Sequence, residues 1–212
     1  MIRRAMFTLF CLLALAAACA KAPAPATAPA PAPSLTPAPV PAPAPGPQDV
    51  VLSGLRFTLP PGWERAPGSL TGGMEAPPAA AFWLPGVSDE PEDGNGFPFL
   101  LFSVSEGPGA KATFARLLAE PERLAESVGM RFDDEQQYTV ASVRADPDRQ
   151  LVRLAYTCLD VDSGELLAGQ DVLIASQDGF VEVELYSRLE EDVPARADFE
   201  AMIGGFARAF TL

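Results

Sequence analysis

Alanine and proline fill residues 20–47, and this stretch limits which part of the chain can form a folded core. It contains 11 of the chain's 23 prolines and a single charged residue, Lys21. Proline has no backbone N–H to donate, and it drives the preceding residue toward an extended conformation. We therefore predict an extended, disordered tether over residues 19–47, which leaves residues 48–212 to form one globular domain.

The residues before the tether have the pattern of a bacterial lipoprotein signal peptide. A basic start at Arg3 and Arg4 precedes the apolar run Met6–Ala18, and small residues at 16–18 lead directly to Cys19. The run is shorter than the roughly 20 residues that cross a bilayer as a helix. We expect residues 1–18 to be removed and the thiol of Cys19 to be acylated, as by a palmitate chain. The alternative is ordinary secretory cleavage after Ala20.

Lipidation at Cys19 predicts a location at the bacterial cell envelope, outside the cytoplasm. Ala20, and not an aspartate, follows the cysteine. This pattern is similar to that of lipoproteins forwarded to the outer membrane in double-membraned bacteria. We therefore expect the outer membrane, on its periplasmic face or its surface, in preference to the inner membrane.

The charge of residues 48–212 excludes several classes of partner. All 28 acidic residues and 12 of the 15 basic residues lie there, so the segment has a formal charge of −16. Such a surface repels the phosphates of nucleic acids and of anionic lipids. We expect no nucleic-acid partner, and contact with the membrane only through the lipid anchor.

The chain contains no histidine, which excludes histidine-based general bases, Ser-His-Asp triads and Cys-His pairs. Cys11 leaves with the signal peptide and Cys19 is the anchor, so Cys158 has no intramolecular disulfide partner in the mature chain. Cys158 shares one face of a predicted strand with Leu154 and Tyr156. We therefore interpret it as a buried, unreactive thiol and predict no catalytic residue.

Three acidic segments could bind a cation through carboxylate oxygens. The first is a predicted loop with the potential ligands Asp89, Glu90, Glu92, Asp93 and Asn95. It departs from the EF-hand pattern, since Pro91 stands at the third ligand position and Leu100 at the position of the bidentate glutamate. The other two segments are Asp133-Asp134-Glu135 and Glu190-Glu191-Asp192. We interpret all three as solvated loops or caps and predict no metal or cofactor.

Hydrophobic periodicity predicts an α+β domain, in which an antiparallel meander packs against helices. The predicted strands are Leu55–Leu59, Ala79–Leu84, Phe97–Ser105, Tyr138–Val143, Val152–Cys158, Leu166–Ser176 and Phe180–Ser187. A first helical region covers Thr113–Val128, with a restart at Pro121. A final helix covers Arg196–Phe210, and its apolar stripe consists of Phe199, Met202, Ile203, Phe206 and Phe210.

The strand that ends in Phe57-Thr58-Leu59-Pro60-Pro61-Gly62-Trp63-Glu64 resembles the entry of the PsbP-like superfamily, which includes DcrB-like bacterial lipoproteins. The turn at Gln177-Asp178-Gly179-Phe180 and the phenylalanine-rich final helix are similar too, so the resemblance covers roughly residues 50–212. It implies an α/β sandwich with a binding or assembly role. It transfers no functional site, because the Pro-Gly-Trp motif supplies a turn and a core aromatic residue.

These patterns together predict a lipid-anchored, non-catalytic domain that binds a protein partner or assists assembly of an envelope complex. One alternative is a carrier of an apolar ligand, which requires a large cavity between sheet and helices. A second alternative is a carboxylate-based hydrolase, which requires two acidic residues that converge in a concave pocket.

Overall fold

The computed structural model describes residues 46–66, 78–85, 98–161, 164–190 and 192–210. Within these ranges the chain forms ten strands, three α-helices and one short 3-10 helix. In chain order they are β1 (Gln48–Leu52), β2 (Leu55–Leu59), β3 (Glu64–Arg65), β4 (Ala80–Trp83), β5 (Phe99–Glu106), α1 (Pro108–Ala119), α2 (Glu122–Gly129), the 3-10 helix (Asp134–Gln136), β6 (Thr139–Asp146), β7 (Leu151–Leu159), β8 (Leu166–Ala175), β9 (Gly179–Arg188), α3 (Val193–Gly205) and β10 (Ala207–Arg208). The predicted signal peptide, Cys19, residues 20–45 of the tether and the acidic loop at 89–95 lie outside the described residues.

A seven-stranded antiparallel sheet forms the frame of the domain, with the strand order β3-β4-β5-β9-β8-β7-β6. A smaller sheet has the order β1-β2-β10. Its first hairpin turns at Ser53 and Gly54, which both have positive φ angles, as the tight two-residue hairpin turns require. The predicted α+β architecture with an antiparallel sheet is confirmed.

Helices cover the large sheet on both faces, so its central strands are buried on both sides. On one face α3 packs through Phe199, Met202 and Ile203. On the opposite face α1 and α2 pack through Phe114 and Leu124, among others. Side chains alternate along a strand. The odd-numbered residues of β9 therefore face α3, and its even-numbered residues face α1 and α2.

The C-terminal helix is shorter than the sequence predicted. It spans Val193–Gly205, and Phe206 is extended, with φ −58° and ψ 145°. Two consecutive glycines at its end disfavour further helix, and the next residues form β10, which pairs with β2. The prediction that Phe206 and Phe210 lie on a helix is wrong. Both are nevertheless half-buried against the same core as Phe199.

The first helical region divides at Pro121 as predicted, into α1 and α2. Pro121 is the N-cap residue of α2. Proline is tolerated at such a position because the first N–H groups of a helix have no acceptor within the helix. None of the described helices is long and apolar enough to cross a membrane.

Candidate functional site

Three carboxylates lie on the sheet face that α1 and α2 cover, and we call Asp171, Glu182 and Glu184 the carboxylate cluster. Asp171 lies on β8 and the two glutamates on β9, where strand register places Asp171 directly opposite Glu184. Glu182 and Glu184 are two residues apart, so they share this face. One carboxylate oxygen from each of the three residues lies within 4.8 Å of the other two.

Asp171 is the most deeply buried member of the carboxylate cluster, with 0 % of its surface exposed. Neither of its side-chain oxygens accepts a hydrogen bond from any described residue. Burial, followed by the negative charges of Glu184 and Glu182, raises the pKa of Asp171 well above its ordinary value. A buried carboxylate without a partner is strongly disfavoured as an anion. Asp171 therefore requires either a proton or a nearby positive charge.

Arg131, which follows α2, supplies one positive charge. Its Nη1 donates a hydrogen bond to Glu184 Oε1 at 2.7 Å, and its Nη2 lies 3.4 Å from Glu182 Oε1. Burial disfavours the charged guanidinium, but these contacts outweigh burial and raise the pKa of Arg131. Burial and the charge of Glu184 raise the pKa of Glu182 to about 7. A single guanidinium therefore does not neutralise the three carboxylates.

Tyrosine rings border the carboxylate cluster on the same sheet face. Tyr156 on β7 and Tyr186 on β9 both lie opposite Gly169 on β8. The Tyr156 ring extends over Gly169, where an added Cβ would be 2.5 Å from the Tyr156 hydroxyl oxygen. This hydroxyl lies near Tyr186, but it forms no hydrogen bond of normal geometry with any described residue. Burial and the charge of Asp171 raise its pKa.

A second polar site is a surface cleft of about 570 Å³ between the β6–β7 hairpin and the C-terminal end of α3. We call it the arginine cleft, and its charged lining residues are Arg144, Arg149, Arg153, Asp146 and Glu200. Arg149 donates hydrogen bonds from Nη2 to the carbonyl oxygens of Ile203 at 2.8 Å and Gly204 at 3.2 Å. Arg153 donates from Nη1 to Glu200 Oε2 at 2.6 Å. Two of the three arginines are therefore held in fixed positions.

A fourth arginine, Arg208 on β10, lies next to the arginine cleft. The guanidinium carbons of Arg149 and Arg208 lie 5.1 and 4.7 Å from the centre of the Phe206 ring. Burial and the positive charge of Arg149 lower the pKa of Arg208. Four of the 12 basic residues of segment 48–212 therefore gather in one region, although the segment as a whole is strongly acidic.

The structure shows the surroundings of three residues that the sequence analysis singled out, namely Cys158, Asp133 and Asp192. Burial and the charge of Asp160 raise the pKa of the Cys158 thiol to about 11, in agreement with the predicted unreactive thiol. Asp133 caps the 3-10 helix, as expected, by accepting hydrogen bonds from the N–H groups of Glu135 and Gln136. The prediction that Asp192 is solvated is wrong. Asp192 is buried, and its Oδ2 accepts a hydrogen bond from the backbone N–H of Arg188.

The sequence analysis missed the carboxylate cluster, although β9 contained a signal. Apolar residues occupy both faces of β9, as in Phe180 and Val181, which is typical of a strand covered on both sides. Acidic residues at alternate positions of such a strand predict buried charge. Asp171 gives the same signal within the apolar segment of β8.

Comparisons with known proteins identify the fold of the domain. No family model and no curated protein matches the sequence. The solution structure of cyanobacterial PsbP from Synechocystis matches with a TM-score of 0.50 and 15% identity, over 77% of this chain and 92% of that chain. The Ran-binding protein Mog1p of Saccharomyces cerevisiae matches with a TM-score of 0.42 and 14% identity, over 77% and 95% of the respective chains.

A third similar structure is LpqN, a protein involved in cell envelope biogenesis of Mycobacterium tuberculosis. Its TM-score is 0.43 at 14% identity, over 72% of this chain and 82% of that chain. The protein described here is an α+β protein with an antiparallel sheet between helices. Its domain has the PsbP-like fold, which confirms the resemblance seen in the sequence.

Proposed function

We propose that this chain is a lipid-anchored, non-catalytic binding domain of the bacterial outer membrane that holds an acidic segment of a protein partner in the arginine cleft. The observation that carries this proposal is the concentration of arginines around Arg149 in a domain with a formal charge of −16. Guanidinium groups bind carboxylates through paired hydrogen bonds, so this cleft is suited to glutamate and aspartate side chains.

The geometry of the arginine cleft favours binding because two of its cations are already positioned. Arg149 is held by carbonyl oxygens of α3, and Arg153 is held by Glu200. A ligand therefore orders fewer side chains when it binds, which lowers the entropic cost. Burial, followed by the positive charge of Arg149, lowers the pKa of Arg208, and a bound carboxylate would offset the repulsion between these two cations.

The charge of the whole domain favours a protein segment over a lipid surface as the partner. A flat anionic bilayer would meet the acidic residues around the cleft, and these repel it. A single acidic segment can enter the cleft and avoid most of them. The tether between Cys19 and the domain allows a reach of up to about 85 Å from the membrane in the extended polyproline conformation.

The two alternative functions receive less support from the geometry. Three carboxylates do converge, but Asp171 is fully buried beneath Arg131, whereas a glycoside hydrolase places its carboxylates in a cleft open to sugar and water. An apolar carrier needs an internal cavity. At Trp63 and Met202, between α3 and the sheet, the gap is too small to hold a water molecule. A cleft of about 430 Å³ beside α1 is open to the surface and does not enclose a ligand.

Binding of a glutamate-rich peptide to the full-length Cys19→Ser chain tests the proposal. We expect binding that weakens with salt, as for other charge-driven associations. Arg144→Glu should weaken it about five- to tenfold, since a charge at the rim of a binding site contributes roughly 1 kcal/mol. Arg116→Glu is the matched control, because Arg116 is an exposed residue of α1, and it should leave the affinity unchanged.

Three results would count against the arginine cleft as the binding site. They are an absence of peptide binding, equal weakening by Arg144→Glu and Arg116→Glu, and tighter binding to anionic phospholipid vesicles than to the peptide. The last result would replace a protein segment by a lipid surface as the ligand.

A further inference from the structure

We propose that the carboxylate cluster is a binding site for a calcium-like divalent cation, and that Arg131 acts as an internal counter-charge that the cation displaces. The proposal is independent of the arginine cleft, which lies at the C-terminal end of α3 and is covered by different elements. The cluster lies on the opposite sheet face, beneath α2 and the segment that follows it. Its three ligands come from two neighbouring central strands, β8 and β9, which hold them in fixed register.

The spacing of the carboxylates fits a single ion. One oxygen from each of Asp171, Glu182 and Glu184 lies within 4.8 Å of the others. Calcium binds oxygen at about 2.3–2.6 Å, so two oxygens on the same ion lie at most roughly 5 Å apart. The three side chains can therefore contact one calcium ion without any change in strand register.

Two buried oxygen-bearing side chains, Asp171 of the cluster and the neighbouring Tyr156, point to a ligand beyond the charges themselves. Both oxygens of Asp171 are fully buried and accept no hydrogen bond from the described part of the chain. The Tyr156 hydroxyl, on a side chain 1 % exposed, also forms no hydrogen bond of normal geometry. It lies over Gly169, two residues before Asp171 on the same face of β8. Buried polar groups are normally satisfied, and a cation among the three carboxylates would satisfy the oxygens of Asp171.

The chemical type of the ligand atoms indicates which class of ion the cluster can bind. All the available ligand atoms are oxygens, and the chain contains no histidine. Oxygen ligands are preferred by calcium and magnesium, whereas zinc and copper favour nitrogen or sulfur. Magnesium requires nearly ideal octahedral geometry at about 2.0–2.1 Å and retains most of its water. Three carboxylates on rigid strands supply more protein ligands than the one or two that usually hold magnesium, and they therefore favour calcium.

Arg131 explains how the two glutamates of the cluster can lie close together without the ion. Its guanidinium contacts Glu184 and Glu182, and its side chain is 46 % exposed. It can therefore turn outward into solvent without leaving a cavity in the core. The Glu182 and Glu184 side chains are 16 % and 12 % exposed, which provides an entry route on the side of Arg131. Calcium and Arg131 would compete for the same glutamate oxygens.

Calorimetric titration of the full chain with calcium chloride, after treatment with a chelator, tests this inference. We expect one ion per chain with a dissociation constant of about 10⁻⁴–10⁻³ M, the range of extracellular calcium modules. Asp171→Asn should weaken binding at least tenfold. Arg131→Gln should tighten it several-fold, because the competing cation is removed. Glu120→Gln changes an exposed acid at the end of α1 and should have no effect.

A second measurement separates loss of the site from loss of the fold. In the presence of chelator, Asp171→Asn should melt at or above the temperature of the wild type, because it removes a buried negative charge. If Asp171→Asn fails to fold, Glu182→Gln, which changes the most exposed carboxylate of the cluster, provides the same comparison. The inference is wrong if the wild-type chain takes up no calcium at millimolar concentration, or if a folded cluster variant retains wild-type affinity.

Discussion

Tyr156 and Gly169 are direct neighbours across β7 and β8, and the tyrosine ring occupies the space that a side chain at Gly169 would fill. A Cβ at residue 169 would lie 2.1 Å from Tyr156 Cζ. The glycine is therefore required by close approach of the ring and not by an unusual backbone conformation. It allows the Tyr156 ring to extend over β8 toward Tyr186, whose ring centre is 6.5 Å away, at the edge of the carboxylate cluster.

Gly169→Ala should destabilise the domain by about 1–3 kcal/mol, the usual effect of overpacking a core. The free energy of unfolding from denaturant titration measures this loss. Gly109→Ala is the control, because a Cβ there meets no described atom within 4 Å and the residue lies in α1. Alanine is the better helix former, so the control should be neutral or stabilising. Equal stability of the two variants would contradict the close approach of Tyr156.

Cys158 should react slowly with thiol reagents in the folded domain at neutral pH. Burial and Asp160 raise its pKa to about 11, and the thiolate is the reactive form. Alkylation, assigned to Cys158 by peptide mass spectrometry, should accelerate as the pH approaches 11. In denaturant the rate should instead rise near pH 8.5, the approximate pKa of a free thiol. Rapid labelling of the folded chain at neutral pH would contradict this prediction.

The same pKa shift predicts how stability depends on pH. A raised pKa means that folding favours the protonated thiol, so this contribution is complete below about pH 8.5 and is lost as the pH rises toward the folded pKa. Cys158→Ala removes the titrating group and should flatten that part of the profile. Urea unfolding at pH 8 and pH 10.5 measures the difference.

Phe199 should matter more for stability than Phe206. Phe199 is 2 % exposed on α3, and truncating a buried phenylalanine to alanine costs about 3–5 kcal/mol. Phe206 is half-buried after the helix end, so Phe206→Ala should cost roughly half as much. Thermal and denaturant unfolding of the two variants makes the comparison. A larger loss of stability for Phe206→Ala than for Phe199→Ala would contradict the prediction. It would mean that the segment after α3 contributes more to core packing than α3 itself.

Cys19→Ser should release the chain from membranes into the soluble extracytoplasmic fraction, because serine cannot accept the thioether-linked lipid. Fractionation followed by immunoblotting measures the shift. A variant of the other mature-chain cysteine, Cys158→Ala, is the control and should remain with the membrane. Mass spectrometry that shows an unmodified N-terminus at Lys21 in the wild-type chain would contradict lipidation.

Several elements could be predicted from the sequence because their causes are local. The alternation in Leu55–Leu59 produces β2, and Pro121 divides α1 from α2 wherever the helices pack. The hairpin that joins β8 to β9 forms where the Asp-Gly signal indicated, although its turn residues are Gln177 and Asp178 and Gly179 already belongs to β9. In each case a few consecutive residues are sufficient for the prediction. The causes are the periodicity of a strand, the missing N–H of proline and a favoured turn sequence.

The tertiary structure decided the features that depend on distant segments. The segment after α3 pairs with β2, and this pairing joins Arg208 to Leu55, which lie near opposite ends of the domain's sequence. The sequence contains no local pattern for such a contact. Phe206 and Phe210 continued the apolar stripe in the sequence, because both reach the same core from the non-helical segment after α3.

The sequence alone determined the charge and the lack of histidine, and it alone predicts the tether and the lipid anchor at Cys19, since these depend only on composition and order. The carboxylate cluster depended on strand register and on the packing of α2. Register places Asp171 opposite Glu184, and the end of α2 brings Arg131 over both glutamates. A shift of one residue in either strand would turn the acidic side chains toward α3, so only the folded sheet brings these charges together.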